Sequence, residues 1–211
     1  MLHNIDICKT IRDENEAYNA SWIKASGLTG DHPLLVDDLG VDKLLREDMN
    51  AFMVVWLKNI DRLCSMIPTG VEIGSYQLID VGCGSGISTL YFCAQYKFKS
   101  FLGFDISQNL INIARINKHR IISHINSVEQ IEFRCIDARN IVLPDEPNVL
   151  FMFNPFGWET LSTFLENNIK NLRKNRSFLI YANDILAAKA LDRYGAIVCR
   201  DDYFNLSVIS F

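Results

Sequence analysis

The chain has 211 residues, a formal net charge of -4 and a sequence pI near 5.6. This length fits one domain with a sizeable core, and the acidic balance disfavours a nucleic-acid partner, whose phosphates require many Lys and Arg. The start, MLHNIDICKTIRDENE, shows neither a basic nor an apolar segment, so we expect no signal peptide. The longest apolar run, AFMVVWL, is too short to span a bilayer.

Six cysteines are scattered along the chain without a CxxC pair, and no Cys/His cluster has the spacing of a zinc site. Isolated cysteines of this kind are typical of reduced thiols. We therefore expect a cytoplasmic protein without a metal site.

The first seventy residues have a helical pattern. Apolar residues recur every three or four positions from Val41 to Ile67, and Pro68 and Gly70 follow, which predicts an amphipathic helix over 41–67. A turn-rich connector, SGLTGDHPLLVDDLG, precedes this helix. We expect residues 1–70 to form a helical cap or lid that is part of the same domain as residues 71–211.

Beyond residue 75, short β-prone runs alternate with helical segments. Strands are predicted at 76–81, 100–106, 131–137, 148–154 and 177–183, and helices at 86–97, 107–123, 158–173 and 184–194. This alternation indicates βαβ units and a mainly parallel sheet in an α/β fold. Two final strand-like runs, 196–202 and 203–211, have little between them and predict an antiparallel hairpin.

The stretch LIDVGCGSG places Gly82, Gly84 and Gly86 directly after the first strand. A dinucleotide-binding fingerprint requires its third glycine at the position of Ile87, so an NAD site is disfavoured. Asp80 ends the strand, where its carboxylate would repel a pyrophosphate but suits a ligand with an amino group or a sulfonium.

Two further carboxylates follow the next two strands at the same edge of the sheet. Asp105 is placed to accept hydrogen bonds from both hydroxyls of a ribose. Asp137 can accept from an adenine amine while the Ala138 N–H reaches a ring nitrogen. Together with Asp80 these residues predict a site for an adenosine ligand that carries a positive charge.

These motifs resemble those of the class I S-adenosylmethionine-dependent methyltransferases: LIDVGCGSG their first motif, FLGFDIS the ribose-binding strand end, and CIDARN the adenine motif. The resemblance covers roughly residues 71–211. It implies a Rossmann-like seven-stranded, mainly parallel sheet with an antiparallel last strand, helices on both faces and S-adenosylmethionine as cofactor. The cofactor contacts that it implies are Asp80, Gly82, Cys83, Gly84, Gly86, Asp105, Ile106, Asp137, Ala138 and Asn154.

The stretch NVLFMFNPFGW lies where the fourth strand of that superfamily brings a motif to the methyl donor, so Asn154 is the candidate catalytic residue. NPFG is similar to a group of bacterial methyltransferase-like proteins and to the Asn-Pro-Pro-aromatic motif of amino-methylating members. This chain has one Pro where that motif has two, which weakens the case for methylation of an amino group or a base.

The leading hypothesis is an enzyme that methylates oxygen or nitrogen of a small molecule, such as a sugar or another metabolite. The alternatives are a protein or nucleic-acid acceptor and a cofactor-binding module without turnover. No sequence feature identifies a general base. We expect a monomer or a homodimer.

Overall fold

The computed structural model describes residues 2–121, 130–187, 189 and 193–211. The first two predicted βα units are present, and their boundaries within the described residues lie within two residues of those expected. The helices of the described residues are α1 Leu2–Ala25, α2 Leu57–Met66, α3 Ile87–Gln95, α4 Gln108–Ile121 and α5 Trp158–Lys174. The strands are β1 Gln77–Val81, β2 Ser100–Asp105, β3 Ile131–Cys135, β4 Asn148–Phe153, β5 Phe178–Ala182, β6 Ala196–Asp201 and β7 Leu206–Ser210.

The seven strands form one sheet in the order β3-β2-β1-β4-β5-β7-β6. Strands β1 to β5 pair in parallel, and β7 runs antiparallel to both of its neighbours, β5 and β6. The predicted Rossmann-like sheet with a reversed last strand and a terminal hairpin is confirmed. Because the strand order reverses beside β1, the crevice at the carboxyl ends of β1 and β4 is the place where such sheets bind ligands.

Helices cover both faces of the sheet, so the central strands are apolar on both sides. Neighbouring residues such as Leu78 and Ile79 point to opposite faces, and both are fully buried. The first lies in a core built with α2, α3 and α4, and the second in a core built with α5. Burial on both faces explains why these strands read as continuous apolar runs.

The helix predicted over 41–67 is wrong for its first two thirds. Short 3₁₀ turns occupy Val36–Leu39 and Lys43–Leu45, residues 46–56 contain no helix, and α2 begins only at Leu57. The physical reason lies in α1, where the Asn19 side chain accepts the Leu57 N–H at 2.9 Å and donates to the Val55 carbonyl at 2.8 Å. This contact with a distant residue sets the start of α2. The apolar residues upstream do not form the face of a helix; Phe52, for example, packs in a cluster with Leu39 and Leu110.

The N-terminal helix is docked onto α2 and α3 through a polar network. The Tyr18 and Tyr91 hydroxyls lie 2.9 Å apart, and the Tyr91 hydroxyl also donates to Asp61 Oδ2 at 2.8 Å. Asp61 Oδ1 accepts from the Tyr96 hydroxyl at 2.8 Å. These bonds hold α1 against the domain. No helix in the described part of the chain is both long and apolar enough to cross a membrane.

Two predictions extend past the described residues. The helix expected at 184–194 includes 188 and 190–192, and the helix expected at 107–123 includes 122 and 123; these positions lie outside the described residues. None of the six cysteines, all of which the structure describes, forms a disulfide.

Replacing Asn19 with Ala tests how α2 begins. The change removes the cap on Leu57 and the bond to Val55, so the free energy of unfolding should fall by about 1–3 kcal/mol. Urea denaturation followed by circular dichroism measures it. The exposed change Ser21→Ala on the same helix serves as the control, with an expected effect below about 0.5 kcal/mol. Equal effects of the two changes would contradict the capping role.

Candidate active site

A cavity opens at the carboxyl ends of β1, β2, β3 and β4. Its floor consists of the strand ends and the loop after β1, and its roof is the segment 45–56, which we call the strap. From the strand ends and helices the cavity is lined by Asp80, Gly82, Cys83, Ser85, Ile87, Ser88, Phe104, Asp105, Ile106, Leu110, Ile136, Asp137, Ala138, Arg139, Phe151, Phe153, Pro155, Phe156 and Thr160. Leu39 and, from the strap, Leu45 and residues 49–54 complete the lining.

The glycines after β1 are required by close neighbours from this chain itself. A Cβ atom at Gly82 would lie 2.3 Å from the Pro155 Cβ, and one at Gly84 would lie 2.1 Å from the Phe52 ring. Gly86 is packed in the same way by a β3 side chain. All three have positive φ, from +54° to +77°, which L-residues with side chains rarely adopt. The loop therefore packs against the strap and against the loop after β4.

Asp48 fastens the strap to the start of α5. Its carboxylate Oδ2 accepts the Thr160 N–H at 2.7 Å, and its carbonyl accepts the Gly157 N–H at 2.7 Å. An acidic side chain here caps the helix and interacts favourably with its N-terminal dipole. A Cβ at Gly157 would lie 1.9 Å from Asp48 Oδ1, so the glycine of NPFG makes room for this carboxylate.

Asn50 makes the second attachment of the strap. Its N–H donates to the Pro155 carbonyl at 3.1 Å, and its side-chain amide donates to the Asn154 carbonyl at 2.9 Å. Between these contacts, Met49 forms an isolated antiparallel bridge with Phe156. The strap and the loop after β4 are thus hydrogen-bonded along the same edge of the cavity.

Asp80 is buried at the end of β1, with 2% of its surface exposed. Burial raises its pKa to about 7, although Oδ2 accepts a hydrogen bond at 2.6 Å from the Thr89 hydroxyl, which acts in the opposite direction. A carboxyl with this pKa changes charge readily when a cation approaches. Its position beside Gly82 suits a positively charged ligand group.

Asp105 and Asp137 lie at the ends of β2 and β3. Asp105 accepts the Gly84 N–H at 3.0 Å and the Ser107 N–H at 2.8 Å, while burial raises its pKa overall. For Asp137, burial by itself would raise the pKa, but hydrogen bonds and the charge of Arg139 outweigh it and lower the pKa. Asp137 and Arg139 form an ion pair at 2.6 Å. The carboxylates of Asp105 and Asp137 are therefore each held in a defined orientation.

The polar side chains that line the cavity suit a charged adenosine ligand. The Ser85 hydroxyl lines the cavity, is buried in the glycine loop and has no hydrogen-bond partner within the described chain. Such an orphaned polar atom is costly unless a ligand satisfies it. With Asp80, Asp105 and Asp137 it offers partners for amino, carboxylate, hydroxyl and adenine amine groups. Among the described residues, no cluster of His, Cys, Asp and Glu is arranged to hold a metal ion.

The structure brings most of the ten residues predicted to contact the cofactor to this cavity. Seven line it, namely Asp80, Gly82, Cys83, Asp105, Ile106, Asp137 and Ala138. Gly84, Gly86 and Asn154 are adjacent in sequence to lining residues without lining it themselves. Burial raises the pKa of the Cys83 thiol well above its usual value, which keeps it neutral.

Asn154, the predicted catalytic residue, occupies a left-handed conformation with φ +45° directly after β4. Its Oδ1 accepts a hydrogen bond from the Tyr181 hydroxyl at 3.3 Å, and its carbonyl is held by Asn50. Asn and Asp tolerate this conformation better than other residues with side chains. The residues on either side of it, Phe153 and Pro155, line the cavity.

Sequence reasoning missed the strap as part of the site. Asp48, Asn50 and Phe52 fall inside the helical pattern that predicted a continuous helix. The one available signal was local, because Asp and Asn favour caps and turns over helix interiors. Ser85 and Arg139 were also missed, although both lie inside motifs that the sequence analysis identified.

The sheet order, the glycine loop and the three strand-end carboxylates define a class I methyltransferase fold. Residues 78–175 match a family model described as a methyltransferase domain. Residues 78–175 therefore form a methyltransferase domain, with S-adenosylmethionine as its cofactor. It matches no curated protein sequence.

A solved structure shows the same fold at low sequence identity. Magnesium protoporphyrin IX methyltransferase from Synechocystis PCC 6803, with bound S-adenosylmethionine, superposes with a TM-score of 0.51 and 16% identity over 72% of this chain and 76% of that one. This likeness concerns the fold and leaves the acceptor open. A ribosomal protein L11 methylase from Lactobacillus delbrueckii subsp. bulgaricus matches at a TM-score of 0.48 and 19% identity, over 74% and 76%.

Replacing Gly84 with Ala tests the packing of the strap on the glycine loop. Because the backbone at Gly84 has a positive φ, the alanine should lower the free energy of unfolding by about 1–2 kcal/mol. The clash of its methyl group with the Phe52 ring should lower it by about 1–3 kcal/mol more. The matched control is Gly27→Ala, since Gly27 also has a positive φ but nothing within 4 Å of its Cβ position. Chemical denaturation measures both variants.

A double-mutant cycle separates the two costs. Phe52→Ala should relieve the steric part of the Gly84→Ala penalty, which gives a coupling energy of about 1 kcal/mol or more. Equal penalties for the two glycine variants, together with strict additivity in the cycle, would contradict the packing of Phe52 against Gly84.

Proposed function

We propose that this methyltransferase transfers the methyl group of S-adenosylmethionine to oxygen or nitrogen of a small-molecule acceptor. The observation that carries the proposal is the strap, which roofs the cavity and is hydrogen-bonded to residues 154–160 through Asp48 and Asn50. A base in a nucleic acid or a side chain of a folded protein would have to pass this roof. In this proposal residues 1–70 act as the lid of the domain 71–211, and the enzyme works in the cytoplasm.

The strand-end residues support a specific arrangement of cofactor contacts. Asp80 and Ser85 would hold the amino-acid portion, since Asp80 responds to a cation and the Ser85 hydroxyl needs a partner. Asp105 would accept from the ribose hydroxyls with lone pairs that Gly84 and Ser107 leave available. Asp137 and Ala138 would contact the adenine, with Arg139 fixing the carboxylate.

The chemistry requires little proton transfer from the protein. When bound, S-adenosylmethionine supplies a methyl group on a sulfonium, which makes the carbon electrophilic. The chain's task is to orient the acceptor and to exclude water, and a largely apolar roof serves both. Asn154 serves this task as a positioning residue, because its carbonyl and its conformation shape the loop that faces the acceptor.

Calorimetry with S-adenosylmethionine and Asp105→Asn tests the cofactor site. Loss of the carboxylate removes an acceptor for the ribose, so the dissociation constant should rise about tenfold or more. Asp145→Asn, at an exposed carboxylate that is not among the lining residues of the cavity, should bind like the unchanged protein. Absence of cofactor binding by the unchanged protein would overturn the proposed function, and equal binding by both variants would overturn the ribose contact.

The pKa of Asp80 predicts how cofactor binding depends on pH. In the ligand-free protein this pKa is about 7, and a cationic ligand favours the ionised carboxylate, so binding below pH 7 should release a proton. Affinity should therefore rise between pH 5.5 and 7, by up to about tenfold per pH unit, and level off above it. Calorimetry at pH 6 in buffers of different ionisation enthalpy measures the proton release.

Asp80→Asn is the control for this pH dependence. The variant has no carboxyl to ionise, so its weaker binding should be flat across the same pH range, without proton release. A pH dependence retained by Asp80→Asn would show that another group causes it.

A further inference from the structure

The charged side chains that line the cavity come from one set of elements. Asp80 and Asp105 lie at the carboxyl ends of β1 and β2, and Asp137 and Arg139 follow β3. The lining contributed by the strap and by β4, with the loop and helix start that follow it, has a different composition. We call this part of the lining the acceptor side; its residues are Leu45, Met49, Asn50, Ala51, Phe52, Met53, Val54, Phe151, Phe153, Pro155, Phe156 and Thr160.

Every lining residue of the acceptor side, all within the described part of the chain, is uncharged. Its polar side chains are those of Asn50 and Thr160, and the Asn50 amide already donates to the Asn154 carbonyl. A charged acceptor would lose its hydration here without a counter-charge, at a large cost. A sugar would bury several hydroxyl groups with too few partners. The composition therefore favours a neutral and largely apolar acceptor.

The mouth of the acceptor side is apolar as well. Leu45 and Met53 line the cavity and are still 39% and 52% exposed, so they form its rim. Rings from Phe52, Phe153 and Phe156 lie further in, where they can contact an aromatic acceptor edge-to-face or in offset stacks.

The acceptor side also carries no titratable side chain that could act as a general base, and the carboxyl of Asp80, which is paired with Phe151 between β1 and β4, is assigned to the amino-acid portion of the cofactor. An aliphatic alcohol would have to be deprotonated by a protein base during transfer. A phenol, with a pKa near 10 in water, can instead lose its proton to water and react as the anion. The anion is favoured next to a sulfonium, because opposite charges attract strongly in a cavity of low polarity.

Resting on the proposed function, we infer that the acceptor is a small, neutral, apolar phenol. Its oxygen forms a bond to the methyl carbon while the carbon–sulfur bond of the sulfonium breaks, and the phenolic proton passes to water. The products are an aryl methyl ether, S-adenosylhomocysteine and a proton. This assignment replaces a sugar as the plainest candidate, because the acceptor side offers too few hydrogen-bonding side chains for the hydroxyl groups of a sugar.

A panel of four acceptors tests the inference on the unchanged protein. The acceptors are 4-propylphenol, 4-propylcyclohexanol, 4-hydroxybenzoate and methyl glucoside, each with labelled S-adenosylmethionine, and mass spectrometry detects the methyl ether and S-adenosylhomocysteine. We expect methylation of 4-propylphenol at least tenfold faster than of the other three. The cyclohexanol tests whether the acceptor hydroxyl must be acidic. The benzoate tests whether a charged acceptor is excluded, and the glucoside tests whether a polar one is.

Rim variants provide a second readout that does not depend on turnover. Met53→Lys and Leu45→Lys each place a cation at the rim, so binding of 4-propylphenol to the protein with S-adenosylhomocysteine should weaken at least tenfold in ligand-observed NMR. Leu44→Lys is the matched control, because Leu44 is 88% exposed, adjacent to Leu45 and outside the lining; its binding should stay within twofold. Met53→Lys should also shift preference towards 4-hydroxybenzoate.

The outcomes separate this inference from the proposed function. If the protein binds S-adenosylmethionine and methylates the glucoside, the cyclohexanol or the benzoate in preference to the phenol, the phenol assignment is wrong and the methyltransferase proposal stands. The same holds if Leu45→Lys, Met53→Lys and Leu44→Lys bind the phenol equally. If the protein does not bind S-adenosylmethionine, the proposed function itself fails.

Discussion

The close contact of Phe52 and Pro155 with the glycine loop after β1 is the interaction on which the site depends. Because Gly84 and Gly82 have no side chains, the strap and the loop after β4 can both reach the carboxyl end of β1. Overpacking at either position would push one of these segments away, since packed interiors do not absorb even one extra methyl group without strain. The cavity has a roof because three separate segments of the chain meet at this one turn.

The same arrangement divides the cavity electrostatically. Parallel strands bring Asp80, Asp105 and Asp137 to one edge, where burial raises the pKa of the first to about 7 and ion pairing lowers the pKa of the third. The strap and β4 contribute no charge to the lining. The elements after β1 to β3 therefore supply the charged and polar groups of the cavity, and the strap and β4 supply apolar groups, which matches a transfer from a charged donor to a neutral acceptor.

The predicted strands and the strand-end carboxylates agree with the structure because both depend on short-range signals. Runs such as NVLFMF are apolar on both faces only when helices cover both sides of a sheet, so the pattern itself implies the layers. The error over residues 41–67 has a long-range cause. The apolar spacing from Val41 to Phe52 is compatible with a helix, yet Val41 and Phe52 pack in a cluster with Leu39 and Leu110. Asn19 of α1 sets the start of α2.

Residue order alone was enough to predict the α/β class, the reversed terminal strand, the glycine loop and the carboxylates at the ends of β1, β2 and β3, because these features follow from local periodicity and spacing. What approaches the glycines is visible only in the folded chain, where it is the chain's own Phe52 and Pro155. The tertiary structure also decided that Asp48 and Asn50 fasten a roof and that the acceptor side carries no charge. Those features depend on contacts between residues far apart in sequence, from Phe52 and Gly84 to Asp48 and Thr160, which no local pattern encodes.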